Sequence, residues 1–181
     1  AIDPFMAKKH TETIESLFGE EEVSSTEGET PINVLGLDQA IIVENDDSNR
    51  DAVSEWLTEL GVPEVIAFTD GETAWNHIEK QENLSAVITD WRVPKLTGPL
   101  LIQRIRNKFP SVPIILQSSL IQGQDKPLVY EMGVATVIEK PFEKKVFIAQ
   151  LITTIQQDRS SALIEVQTEE EAERNRGRDA V

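Results

Sequence analysis

Leu84-Ser85-Ala86-Val87-Ile88-Thr89-Asp90-Trp91-Arg92-Val93-Pro94 is an apolar, branched run that closes on a carboxylate and is stopped by a proline. Such a run reads as a buried strand, and Pro94, which lacks an amide donor, forbids its continuation. Asp90 is thereby presented at the carboxyl end of a strand, the edge where open α/β sheets place their chemistry. Taken alone, Asp90 could equally start a turn, since Asp and Pro are ordinary turn residues. The rest of the chain decides between the two.

Working outward, Ala40-Ile41-Ile42-Val43 reads as a strand and Asp47-Ser48 as a helix start, with Val53, Trp56, Leu57 and Leu60 at helical spacing up to Gly61. A second strand is expected over 64–68 and a second helix over 71–80, carrying Ala74, Trp75 and Ile78. The strand ending at Asp90 comes next, then a helix with Leu101, Ile105 and Phe109 that stops before Pro110. A strand over 113–117, a helix ending at Met132-Gly133, a strand over 135–138 and a final helix from Phe142 to about Gln156 complete the order. Strands that alternate with helices imply right-handed crossovers and a parallel sheet covered on both faces. The near-continuous apolar strands agree, because strands of this kind are buried on both sides. The predicted fold is α/β: a doubly wound (βα)5 unit with a five-stranded parallel sheet, flanking helices and flexible acidic tails.

The expected organisation is a cloning remnant over 1–5, an acidic flexible segment over 6–37, one domain over 38–158 and a polar tail or linker over 159–181, which could also be a frayed extension of the last helix. Within the first segment Ile14, Leu17 and Phe18 could form a short amphipathic turn. The formal net charge of −15 is spread along the chain. Residues 1–37 hold two basic against eight acidic side chains, residues 38–158 eleven against eighteen, and residues 159–181 four against six. Such a surface repels a phosphate backbone, so direct nucleic-acid binding is not expected. A cation or a basic protein partner suits it better. Cysteine is absent, which removes disulfides, thiolate chemistry and Cys-based zinc sites. His10 and His77 stand far apart with no matching cluster. No stretch approaches the length of a membrane span and no signal segment opens the chain, so a reduced, cytoplasmic protein without membrane insertion is expected.

Four predicted strand ends carry polar groups that packing does not require. They are Glu44-Asn45-Asp46-Asp47, then Asp90, then Ser118-Ser119, then Lys140-Pro141. In a parallel sheet these ends share one edge, so oxygen ligands, a hydroxyl and an ammonium converge. Carboxylates in one pocket repel each other unless a cation neutralises them, and hard oxygen ligands suit Mg²⁺. An ammonium and a hydroxyl beside that cation supply what the equatorial oxygens of a phosphoryl group need. Each feature has an ordinary explanation as a helix cap or turn, and Asp47 is expected to be a cap. Their joint occurrence in order at successive strand ends is the stronger signal.

The ordered set resembles the receiver domains of two-component response regulators, with a fold like that of the chemotaxis regulators, over about residues 38–158. Val43-Glu44-Asn45-Asp46 resembles the family's acidic cluster, and Asp90-Trp91-Arg92-Val93-Pro94 its phosphoacceptor motif. Ile114-Ile115-Leu116-Gln117-Ser118-Ser119 resembles the strand ending in Thr or Ser, and Lys140-Pro141-Phe142 the Lys-Pro-Phe signature. The resemblance implies that Asp90 accepts a phosphoryl group from a histidine kinase or phosphotransfer protein, with Ser118 and Lys140 contacting it. It implies Mg²⁺ held by Glu44, Asp90 and the Arg92 backbone carbonyl, with Asn45 offering only a carbonyl oxygen where a carboxylate is usual. Metal binding weaker than in the family is therefore expected, with Asp46 as a partial substitute.

Three further positions depart from the pattern. Val137 stands where many receivers carry an aromatic switch residue. Pro127 falls in the segment of the fourth helix, which it would shorten or kink unless the helix begins there. Arg92 and Leu120 occupy positions that govern acyl-phosphate hydrolysis in receivers, and a bulky Leu120 points to slow decay. Output is expected through a downstream protein target or an effector domain missing from this sequence, with no enzymatic activity beyond self-phosphorylation from a phosphodonor and slow autodephosphorylation. The alternative is a pseudo-receiver, the same fold used as a phosphorylation-independent interaction module. A hydrolase working through a phosphoryl-aspartate is a third reading, opposed by the short chain and the lack of a further acid or base.

Overall fold

The strands and helices alternate without exception from Gln39 onward in a computed structural model that describes residues 31–119, 121 and 124–178. The order is β1 (Gln39–Val43), α1 (Asp47–Glu59), β2 (Glu64–Phe68), α2 (Gly71–Ile78), β3 (Val87–Asp90), α3 (Gly98–Lys108), β4 (Ile114–Ser118), α4 (Lys126–Glu131), β5 (Thr136–Glu139) and α5 (Lys144–Arg178). The five strands form one all-parallel sheet in the order β2-β1-β3-β4-β5. Chain direction across the sheet reverses beside β1 and β3, and ligand crevices in doubly wound folds open at such a switch.

Each strand face has its own core. Ala40, Ile42, Ile88, Ile115 and Ile138 pack with Val53 and Leu57 of α1 and Phe147, Leu151 and Ile155 of α5. Ile41, Val43, Val87, Ile114, Leu116 and Val137 pack with Ala74 and Ile78 of α2, Leu101 and Ile105 of α3 and Val129 of α4. The period-2 alternation of strand side chains divides the residues this way.

Several element ends differ from the sequence reading. The fourth helix starts at Lys126 with Pro127 in its first turn, so proline opens it and does not kink it. The final helix runs to Arg178, well past Gln156. No proline or glycine interrupts residues 142–176, and the Glu, Gln, Ala and Arg found there are good helix formers. Residues 34–37, expected to belong to the acidic flexible segment, pack onto the domain. Leu35 and Leu37 are buried against the α1/α5 core, and the Val34 amide donates to the Leu60 carbonyl at 2.9 Å. Arg159 of α5 reaches back to the Gly36 carbonyl at 2.6 Å. The turn around Ile14, Leu17 and Phe18, together with His10 and Leu120, lies outside the described residues.

Candidate functional site

On the α1/α5 face, the residue two beyond a core isoleucine is polar at each of four strand ends. Ile42 precedes Glu44, Ile88 precedes Asp90, Ile115 precedes Gln117 and Ile138 precedes Lys140. With a side-chain period of two, the apolar body of each strand and its polar head point the same way. The register agrees, since Asp90 lies opposite Gln117, and Gln117 opposite Ile138.

Lys140 gathers the heads. Its ammonium donates to Asp90 Oδ2 at 2.7 Å and also to Glu44 Oε2. Burial alone would lower the Lys140 pKa, but the hydrogen bonds and charges of Asp90 and Glu44 outweigh it and leave the pKa raised. The two residues after the lysine set it in place. Pro141 is joined through a cis peptide, and the Phe142 ring lies 6.2 Å from Trp56 of α1 and 5.1 Å from Phe147 of α5.

Glu44 is the most enclosed charge, with 1 % of its surface exposed. An isolated buried carboxylate is prohibitively costly, so its partners matter. Oε1 accepts from the Asp46 amide at 2.9 Å. Oε2 accepts from Lys140, from Asn49 Nδ2 at 2.7 Å and from Gln117 Nε2 at 3.2 Å. The Glu44 carbonyl takes Arg50 Nη1 at 3.0 Å, while the other guanidinium arm pairs with Asp47. Asp46, and not Asp47, caps α1, accepting from the Asn49 amide at 2.7 Å. Asp47 lies inside the first turn.

Asp90 is partly buried, and its second oxygen, Oδ1, accepts the Arg92 amide at 3.2 Å. The Arg92 side chain is exposed. Arg92 and the exposed Asn45 line one open hollow with Trp91, Val93 and Pro94. Gly98 closes the loop behind Asp90. A Cβ there would stand 2.6 Å from the Trp91 carbonyl oxygen and 2.7 Å from that of Asp90. Ser118 ends β4 buried, and its carbonyl accepts the Lys140 amide at 3.0 Å. Val137 is buried in the α2–α4 core beside Leu116 and Val129, so it is a packing residue with no ring to rotate.

The sequence reading therefore named Glu44, Asp90 and Lys140, which meet directly, and Asn45, Arg92 and Ser118, which border them. It missed Gln117 and Asn49, the two amides on Glu44. The signal for Gln117 was present in the isoleucine-x-polar pattern, where an amide replaces an aliphatic residue at a core parity. No group of three or more His, Cys, Asp or Glu side chains able to hold a metal occurs among the described residues. The hard oxygens of Asp90, Asn45 and the Arg92 carbonyl nevertheless suit Mg²⁺, an ion commonly held through one or two carboxylates.

Residues 40–165 match the family model of the response regulator receiver domain. The chain is 29% identical over 108 residues to a chemotaxis protein CheY homolog of Campylobacter jejuni, covering 59% of this chain and 83% of that protein. It is 27% identical over 108 residues to the chemotaxis protein CheY1 of Helicobacter pylori, covering 59% and 87%. Among solved structures, the chemotaxis response regulator CheY4 of Vibrio cholerae superposes with a TM-score of 0.58 at 23% identity, covering 67% of this chain and 98% of that one. The receiver domain of the Francisella response regulator 1452 gives 0.59 at 21% identity, covering 66% and 97%.

Proposed function

Because the chain belongs to the response regulator receiver domain family, we propose that Asp90 is its phosphoacceptor, charged by a histidine kinase or phosphotransfer protein. Receivers are in general signalling modules and not enzymes, and they generally bind Mg²⁺ at their acidic pocket. The observation that carries the reading is Lys140, whose ammonium bridges Asp90 and Glu44 at the carboxyl edge of the sheet. We assign the role to residues 38–158, with 159–181 as an extension, a cytoplasmic location, and output through a downstream protein or effector domain.

In the proposed reaction an Asp90 carboxylate oxygen forms a bond to phosphorus as the bond from phosphorus to the donor's imidazole nitrogen breaks. Lys140 then trades its contacts with the Asp90 and Glu44 carboxylates for a phosphoryl oxygen, and the Ser118 hydroxyl supplies a further donor to that group. Mg²⁺, when bound, neutralises charge building on the phosphoryl oxygens. Asp90, Asn45 and the Arg92 carbonyl would hold it. Glu44, its oxygens taken by four N–H donors, would act on the ion through its charge.

Acetyl phosphate with Mg²⁺ is expected to add one phosphoryl mass to the full chain, and Asp90→Asn to abolish it. No adduct at saturating donor would move the assignment to the pseudo-receiver. One observation favours that second reading: Val137 is a small, fully packed residue at the position of the usual aromatic switch.

A further inference from the structure

Gln117 is a residue at this edge that packing does not account for. It is fully buried, at 0 % exposure, on the face it shares with Ile115, Ile88 and Ile138. An aliphatic side chain would pack there without cost, whereas an amide must be desolvated. An enclosed polar atom left without a partner costs about 1–3 kcal/mol. Gln117 bears part of that cost, because its Oε1 meets no donor among the described residues. Its Nε2 donates to Glu44 Oε2, and the opposite amide orientation would set two acceptor oxygens against each other.

We propose that Gln117 is a positioning residue that acts through Glu44, holding that carboxylate solvated so that Lys140 can be released to the phosphoryl group on Asp90. Three N–H groups share Glu44 Oε2: the Lys140 ammonium, the Asn49 amide and the Gln117 amide. When the lysine turns to a phosphoryl oxygen it takes its positive charge away from a buried anion. Stranding an unpaired charge of this kind is among the costliest changes a protein interior can undergo. Gln117 and Asn49 remain, and each shortens and strengthens its bond as the competing ammonium leaves. The transfer of Lys140 is thereby made shallow. Two amides do this work without bringing a second net charge to the site.

The purpose assigned to Gln117 rests on the phosphorylation reading; its pairing with Glu44 does not. The test therefore has two arms on the isotopically labelled full chain. In the first, Lys140→Ala is examined by NMR without any phosphoryl mimic. The Gln117 side-chain amide protons are expected to move downfield, because Glu44 Oε2 loses its strongest competing donor. An unmoved Gln117 signal overturns the proposal. In the second, beryllofluoride with Mg²⁺ is titrated against wild type, Gln117→Leu, Glu44→Gln and the double variant. Gln117→Leu is expected to weaken binding about tenfold, equivalent to ~1.4 kcal/mol, and to have no further effect once Glu44 is Gln. Equal weakening in both backgrounds would make Gln117 a packing residue only, and no weakening in wild type would overturn the role as well. Wild type that takes up neither beryllofluoride nor the phosphoryl group of acetyl phosphate removes the phosphorylation reading and with it the purpose of Gln117. The Lys140→Ala arm then still decides the pairing.

Discussion

Asn45 is the residue at which this site parts most sharply from a carboxylate-rich metal pocket. It is exposed and lines the hollow it shares with Arg92. Replacing its amide by a carboxylate adds a negative charge at the point where a cation would sit. Asn45→Asp is expected to tighten Mg²⁺ binding about tenfold, ~1.4 kcal/mol, in a titration followed by tryptophan fluorescence; unchanged affinity would mean that residue 45 does not touch the ion. Asp70 is a second informative carboxylate, though its work is structural. Hydrogen bonding from the Thr73 amide at 2.8 Å is the main cause holding its pKa below the ordinary value, against the opposing effect of burial, and Lys95 adds to it at 3.3 Å. A depressed folded pKa contributes stability that is present above the unfolded value near ~3.9 and is lost as pH falls through the folded one. Asp70→Ala is therefore expected to cost about 1 kcal/mol at neutral pH. The gap from wild type in urea midpoint should close progressively below that unfolded value.

The β3–α3 connection is the element on which the chemistry depends most directly, and Gly98 is its tightest point. A side chain at 98 would press on two carbonyl oxygens, one of them that of Asp90 itself. Gly98→Ala is expected to destabilise the chain by about 1–3 kcal/mol, read as a lowered melting temperature, and to slow acetyl phosphate labelling of Asp90 beyond what that loss explains. The far end of α5 is the opposite case. Residues 159–176 are exposed throughout, including Leu163, Ile164 and Val166. Truncation after Ser160 keeps the Arg159–Gly36 contact, so the urea midpoint is expected to change little, by less than about 0.5 kcal/mol. A large loss would mean that the helical extension packs against the rest of the chain.

Across the whole molecule, the alternation of strands and helices, the parallel direction and the cover on both faces of the sheet were legible from sequence, because near-continuous branched runs alternate with helical spacing; the spatial order of the strands was not. Leu35 and Leu37 were hidden by an acidic, Gly- and Thr-rich neighbourhood whose composition outweighed two apolar residues. The length of α5 was left open between a helical extension and a linker, because its second half has no sustained apolar stripe to mark it, only the absence of a breaker. At the site, charged residues were found because strand ends make them conspicuous, while Gln117 was passed over as part of an apolar run. The net charge of −15 is a property of the molecule as a whole. Self-repulsion of that size is screened by salt, so raising ionic strength from low to physiological should raise the melting temperature; a fall would mean that exposed ion pairs outweigh the repulsion. The placement of Glu44, Asp90, Gln117 and Lys140 two residues beyond core isoleucines also bears on how the sheet finds its alignment. A strand displaced by one residue turns its whole set of side chains to the other face. A misaligned β1 or β5 would then press an anion or an ammonium into the hydrocarbon between the sheet and α2–α4. These polar strand ends thus act as a spelling check on the assembling sheet, and replacing them with apolar residues should leave a chain that folds with less fidelity even where it folds more tightly.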